Sequence, residues 1–374
     1  MRGAAIVAYL ALALAPGCRT AMPLTAVPAQ TPPPATAPAE PAPGTAAVPP
    51  ESAAPPDPEP AAPVEAAPAP PAPLAPSAPI ALLPAHRQGP PPVPRIALVL
   101  GGGAARGFAH VGVIQVLEQE KIPVDLVVGS SVGSLIGALY ASGQSCASLE
   151  RSAMLLQEKD IFDFGVVTAV TGKGLAKGDR LEAWVKAHVR TGRIEKLKRP
   201  FAAVATDLNW GSQVVLDRGS VARAVRASSA IPGVFEPVAH QGRILVDGGV
   251  VNNVPVSVAR AKGADLVIAV DISPNVGNPR ITNLVGVTLQ AANIMYAINV
   301  EQARRSADVL ITPAVGDVGM LDFKQKRRCV RAGKEAASRA VPAIRKAIAA
   351  WIAAHSEEVT AGPARETAVQ VKAP

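Results

Sequence analysis

Arg95-Ile96-Ala97-Leu98-Val99-Leu100 runs directly into Gly101-Gly102-Gly103-Ala104-Ala105-Arg106-Gly107. The first six residues are almost continuously apolar, as in a strand buried on both faces. Phe108, Val111, Ile114 and Leu117 then recur at a spacing of three, which predicts an amphipathic helix over 107–120. A buried strand, a glycine turn and a helix form the repeating unit of layered α/β folds.

The pattern continues downstream. Apolar runs predict strands at 124–128, 201–206, 214–216, 244–246, 266–270 and 309–311. Helical spacing predicts helices at 135–141, 181–189, 256–261, 284–304 and 332–353. Alternation of the two predicts an α/β fold with a mainly parallel central sheet flanked by helices.

Composition limits this fold to one part of the 374-residue chain. Of 38 prolines, 26 lie between Pro23 and Pro94, in a stretch rich in alanine. Such a segment cannot bury a core and favours extended polyproline II. The expected organisation is a leader over 1–18, a disordered tether over 19–94, a folded domain over 95–354 and a disordered tail over 355–374. Up to Gln88 the chain has three basic and five acidic residues, so the remainder carries 34 basic and 24 acidic. That net of +10 suits either an ordinary soluble surface or an anionic lipid surface. No nucleic-acid motif accompanies it, and aromatics are too few to stack bases, so nucleic acid is not an expected partner.

The leader has Arg2 followed by an apolar run from Ala4 to Ala15, too short to span a bilayer and suited to a signal peptide. It ends Leu14-Ala15-Pro16-Gly17-Cys18, which resembles the lipobox of bacterial lipoproteins. That resemblance implies export, lipidation at Cys18 and a periplasm-facing membrane location, with the outer membrane expected because no aspartate follows the cysteine. The alternative is a secretory signal with an incidental cysteine. Cys146 and Cys329 are either a disulfide or two buried thiols. The cysteines and the five histidines show no metal-ligand spacing.

Three constellations carry chemistry. The loop Gly101–Gly107 opens a helix and offers backbone N–H groups to an anion, either a phosphate or an oxyanion. It lacks the Lys-Ser/Thr of a P-loop, because Phe108-Ala109 follow its last glycine. Gly129-Ser130-Ser131-Val132-Gly133 places G-x-S-x-G between a strand and a helix, the context of a nucleophile elbow centred on Ser131. Asp247-Gly248-Gly249 closes the strand at 244–246 and is by itself an ordinary turn sequence. A serine nucleophile needs a proton acceptor. His86, His110, His188, His240 and His355 all fall at positions that suit packing or exposure.

Glycine-rich loop, G-x-S-x-G and D-G-G, in that order, resemble the patatin-like phospholipase family. Ala205–Asn209, Arg226–Phe235, Val250–Pro255 and Gly263–Asp271 resemble its bacterial members as well, so the similarity covers about Arg95 to Gly333. The resemblance implies a Ser-Asp dyad with no metal or organic cofactor, Ser131 attacking a lipid or phospholipid acyl ester and Asp247 accepting the proton. Gly102, Gly103 and Ala104 would then form the oxyanion hole, supported by Arg106 and Gly107, with Gly129, Gly133, Gly248 and Gly249 shaping the turns. Arg106 would either buttress the loop or meet a negative head group. Ala104 departs from the family, which often has glycine there, and alanine resists positive φ. Acyl transfer from the same elbow, or a membrane-anchored binding module without turnover, are the competing readings.

Overall fold

A computed structural model of the chain describes residues 93–163, 174–277, 281 and 284–360. The leader, Cys18, His86 and the expected tether up to residue 92 lie outside the described residues. In chain order the elements are β1 (Ile96–Leu100), α1 (Phe108–Gln119), β2 (Leu126–Ser130), α2 (Val132–Ala141), α3 (Cys146–Leu155), α4 (Glu158–Ile161) and α5 (Asp179–His188). Then come β3 (Phe201–Asp207), β4 (Gln213–Leu216), α6 (Val221–Ser228), β5 (Val238–His240), β6 (Arg243–Asp247), α7 (Val256–Ala261), β7 (Leu266–Val270), α8 (Leu284–Ser306), β8 (Val309–Ile311) and α9 (Lys326–Thr360).

The strands form one eight-stranded sheet in the order β5-β6-β3-β2-β1-β7-β8, with β4 also on β3. Pairs β3–β2, β2–β1, β1–β7 and β7–β8 are parallel. Pairs β3–β4, β3–β6 and β5–β6 are antiparallel. The expected mainly parallel α/β sheet is therefore present, with an antiparallel wing added beyond β3.

Burial of β1 explains its apolar sequence. Ile96, Leu98 and Leu100 enter one core with α1, α2 and α9, while Ala97 and Val99 enter a second with α7 and the end of α8. Side chains alternate across a strand, so a strand covered on both faces is apolar at every position.

Some boundaries differ from expectation. Helix α9 begins at Lys326 and runs through Thr360, past the expected end at residue 353 and across Pro342. His355 therefore lies on a helix, its Nδ1 2.8 Å from the Trp351 carbonyl, rather than in a tail. Helix α3 escaped the sequence reading because only Leu149, Ser152 and Ala153 are buried, too few to mark a periodic face. Its start is fixed by Ser145, whose Oγ accepts the Ser148 N–H at 3.3 Å. Cys146 and Cys329 are free thiols, the latter fully buried.

Candidate active site

Strand β2 ends at Ser130 and α2 begins at Val132, so Ser131 is the whole turn between them. Its backbone has φ 53° and ψ −128°. A non-glycine residue there carries about 1–3 kcal/mol of strain, which surrounding contacts must hold. They do so in three ways. The Ser131 N–H donates to Ser228 Oγ at 2.9 Å. Ser228 in turn donates to Val204 O at 2.6 Å. The Ser131 carbonyl accepts from Ser134 Oγ at 2.6 Å and from Ser134 N–H at 2.8 Å. The flanking glycines are forced by close approach: a Cβ on Gly129 would lie 2.4 Å from Gly133 O, and one on Gly133 would lie 2.1 Å from Leu100 O.

Asp247 reaches the same place along β3. Val204 pairs with Ser130 and the next residue, Ala205, pairs with Asp247. Strand β4 pairs with Ala203 through Thr206 on the other edge, so β2 and β6 share one edge of β3 and meet end to end. The end of the parallel strand bears Ser131, and the end of the antiparallel strand bears Asp247. Thr206 Oγ1 locks the junction by donating to Asp247 O at 2.8 Å. Gly248 packs against Val204 O and the Ser130 hydroxyl, leaving no room for a side chain.

The Asp247 side chain is fully buried. Burial pushes its pKa up to about 6, and the Ser131 hydroxyl, the Gly249 N–H and the Tyr296 hydroxyl draw it partly back. Oδ1 accepts from Gly249 N–H at 2.8 Å. Oδ2 has no aligned donor among the described residues, and Ser131 and Tyr296 act on the carboxyl group without an aligned hydrogen bond to that oxygen. A carboxyl titrating near pH 6 is a far better base at neutral pH than an ordinary aspartate, because its driving force for taking a proton is larger.

The glycine loop leans on this turn. A Cβ on Gly102 would approach Ser131 Cβ to 3.0 Å. One expectation changes here: the Gly102 N–H donates to Asn253 O at 3.2 Å, so it is already engaged and is not free for an oxyanion. Gly103 and Ala104 N–H groups have no acceptor among the described residues. Ala104 adopts φ 49°, taking the positive angle that alanine resists. Arg106 points inward and is 1% exposed. It donates to Val318 O at 3.0 Å and Asn293 Oδ1 at 3.2 Å, so it buttresses the loop. Gly107 packs on Val132.

Sequence reasoning missed three supports. Ser228 lay inside a quoted stretch without a role. Asn253 grips Gly102 twice, its carbonyl taking the N–H and its Nδ2 donating to Gly102 O at 3.3 Å. His110 Nε2 lies 2.8 Å from Gly101 O, and burial lowers its pKa to about 4. The imidazole is thus a neutral donor under the loop, engaged with Gly101 O. Only its fixed distance from Gly107 marked it in the sequence.

Beside Ser131 lies a narrow cavity of about 50 Å³ lined by Ala104, Leu135, Ile136, Phe162, Phe235 and Phe323, among others. Four of the chain's six phenylalanines face it, Phe108 completing the set. Phe162 stacks on Phe235 at 5.2 Å between centroids, and Phe323 stands edge-on to Phe108 at 5.9 Å.

The patatin-like phospholipase family profile matches residues 98–260. An uncharacterized NTE family protein of Mycobacterium bovis is 37% identical over 186 residues, 50% of this chain and 51% of that protein. Patatin-like phospholipase domain-containing protein 6 of Homo sapiens is 38% identical over 187 residues, 47% of this chain and 13% of that protein. Among solved structures, VipD from Legionella pneumophila aligns with a TM-score of 0.40 at 15% identity, covering 68% of this chain and 67% of that one. The chain spans about half the length of the mycobacterial relatives and a small part of the longer human one. The strand-elbow-helix core that holds Ser131 and Asp247 lies inside the matched segment, so residues 98–260 form a patatin-like phospholipase domain within this chain.

Proposed function

We propose that this domain is a serine acyl-ester hydrolase acting on lipid acyl chains. The observation that carries the reading is the end-to-end meeting of β2 and β6 on β3. It sets Ser131 beside a buried carboxyl of raised pKa, at the wall of an apolar cavity.

In this reading Asp247 takes the Ser131 hydroxyl proton as Oγ attacks the ester carbonyl. The N–H groups of Gly103 and Ala104 meet the developing oxyanion, where one such donor is worth roughly 10²–10³ in rate. The proton passes from Asp247 to the departing alcohol, leaving an acyl-serine. Water then attacks, Asp247 accepts its proton and passes it to Ser131 Oγ as the acyl bond breaks, so the acid is released and both residues return to their starting state. The phenylalanine-lined cavity suits the acyl chain. Relatives include a lysophospholipase of Mycosarcoma maydis, which makes single-chain phospholipids the first substrates to try.

A fluorophosphonate probe tests the nucleophile directly. The purified chain should label at Ser131 within the tryptic peptide, and Ser131→Ala should not. Absence of labelling in the folded wild type sinks the proposal and favours a binding module.

The membrane placement belongs to the same reading and is supported by the pattern from Ala4 to Cys18 alone. A lipidated Cys18 would tether the domain near its lipid substrate, with the outer membrane as the expected site. Cys18→Ser should then release the protein from the membrane fraction, and mature membrane-bound Cys18→Ser would exclude the anchor.

A further inference from the structure

Helix α8 lies beyond the segment that the family profile matches. Three of its residues, spaced by three and therefore on one face, grip both halves of the site. Asn293 Oδ1 accepts from Arg106, which braces the glycine loop, at 3.2 Å. Asn299 Nδ2 donates to Gly249 O at 3.2 Å and Val250 O at 2.8 Å, in the turn after Asp247. Between them sits Tyr296, fully buried. Its ring occupies the space that a side chain at position 249 would need, with Cε1 2.5 Å and Cδ1 2.7 Å from a Cβ built on Gly249.

The Tyr296 hydroxyl and Asp247 Oδ2 are both buried, and neither has an aligned partner among the described residues. Each acts on the other: the hydroxyl lowers the Asp247 pKa, and the carboxyl raises that of the tyrosine. A phenylalanine would fill the same volume without leaving a buried hydroxyl to desolvate. The hydroxyl therefore calls for a purpose beyond packing.

We propose that Tyr296 is a positioning residue for the base, its hydroxyl donating to Asp247 Oδ2 and holding the carboxylate ionised and aimed at Ser131. This rests on the Ser131–Asp247 reading above. The two oxygens of the carboxylate would then be held from opposite sides, Oδ1 by the Gly249 N–H and Oδ2 by the tyrosine. Other groups bear on the pair. Ser131 faces the carboxyl from the elbow. Arg106 faces the tyrosine from the glycine loop, and Arg106 itself is faced by Asp271 after β7 and Cys329 on α9. The guanidinium charge opposes the effect of the carboxylate on the hydroxyl.

The sign of the effect follows. A hydrogen bond to the charged form of an acid lowers its pKa, and losing that bond raises it. A general base must be unprotonated, so activity on the acid side tracks that pKa. The test is kcat/KM for p-nitrophenyl butyrate from pH 4.5 to 9 on the full chain. Tyr296→Phe should move the acid limb to higher pH by about one unit, with the alkaline plateau reduced by less than about tenfold. A purely structural tyrosine would lower the whole profile without moving its limb, and an unmoved limb overturns the proposal. If Tyr296→Phe does not fold, 3-fluorotyrosine at position 296 gives the opposite reading. A more acidic phenol is a stronger donor, so the limb should move down, and an unmoved limb again overturns it. Asp247→Asn separates the two levels of the argument. An inactive Asp247→Asn with an unmoved tyrosine limb removes Tyr296 alone, whereas an active Asp247→Asn removes the dyad and this role with it.

Discussion

Ser228 accepts the Ser131 backbone N–H at 2.9 Å and sends its own proton to Val204 O at 2.6 Å. One hydroxyl thereby ties the strained elbow to the neighbouring strand. Ser228→Ala strands a buried N–H, at a cost of about 1–3 kcal/mol in stability. The expected kinetic result is a fall in kcat of about 10–100-fold with KM little changed, because Ser131 loses its fixed position and the cavity is untouched. Steady-state kinetics on a soluble ester, beside a melting curve, measure both. A normal kcat would show that the elbow is held by its glycines and Ser134 alone.

The dyad predicts strong non-additivity. Ser131→Ala and Asp247→Asn should each lower ester hydrolysis on the order of 10³-fold or more, and the double variant should be scarcely worse than either. Independent, multiplying losses would mean that Asp247 does not serve Ser131. His110→Gln should cost much less, since the neutral ring supports Gly101 O and transfers no proton.

Asp247 should also be a stability liability with a defined pH dependence. Its pKa rises from 3.8 to about 6 on folding. Between those values the folded state binds more protons than the unfolded one, so its stability falls as pH rises through the window. Asp247→Asn escapes that loss while keeping an acceptor for Gly249 N–H. The variant should gain about 2 kcal/mol at pH 8 relative to pH 4. Denaturant titrations at the two pH values decide it, and an equal difference at both would show that the carboxyl is not strained by burial.

The cavity predicts acyl preference. At about 50 Å³ it is far below the usual 300–1,000 Å³ of ligand pockets. Short acyl chains should be favoured until its aromatic walls move apart. Phe162 stacks on Phe235 and meets Phe323 edge-on at 6.4 Å, so Phe162→Ala opens the centre of that cluster. The ratio of p-nitrophenyl palmitate to butyrate hydrolysis should rise several-fold, with a stability cost of about 3 kcal/mol. An unchanged ratio would place the acyl chain elsewhere.

Much of this arrangement was readable from local sequence. β1 declared itself because burial on both faces leaves no polar position, and the Ser131 turn because tight packing against Leu100 O demands glycine at 133. What escaped was non-local. Nothing near Gly102 reveals that its N–H is taken by Asn253, 151 residues away. Nothing near Tyr296 links it to Asp247, because helical periodicity gives the buried face without naming what lies opposite. Strand β5 was also hidden, since it spans only three residues, of which one is buried.

Because Ser130 and Asp247 pair with successive residues of β3, the site is set by counting along a strand. A slip of β6 by one residue would turn the carboxyl to the opposite face of the sheet, while most of the domain kept its shape. Under the proposed Ser131–Asp247 reading, turnover therefore reports alignment in the antiparallel wing. During refolding, its return should time the docking of β6, separately from the collapse that restores the parallel half.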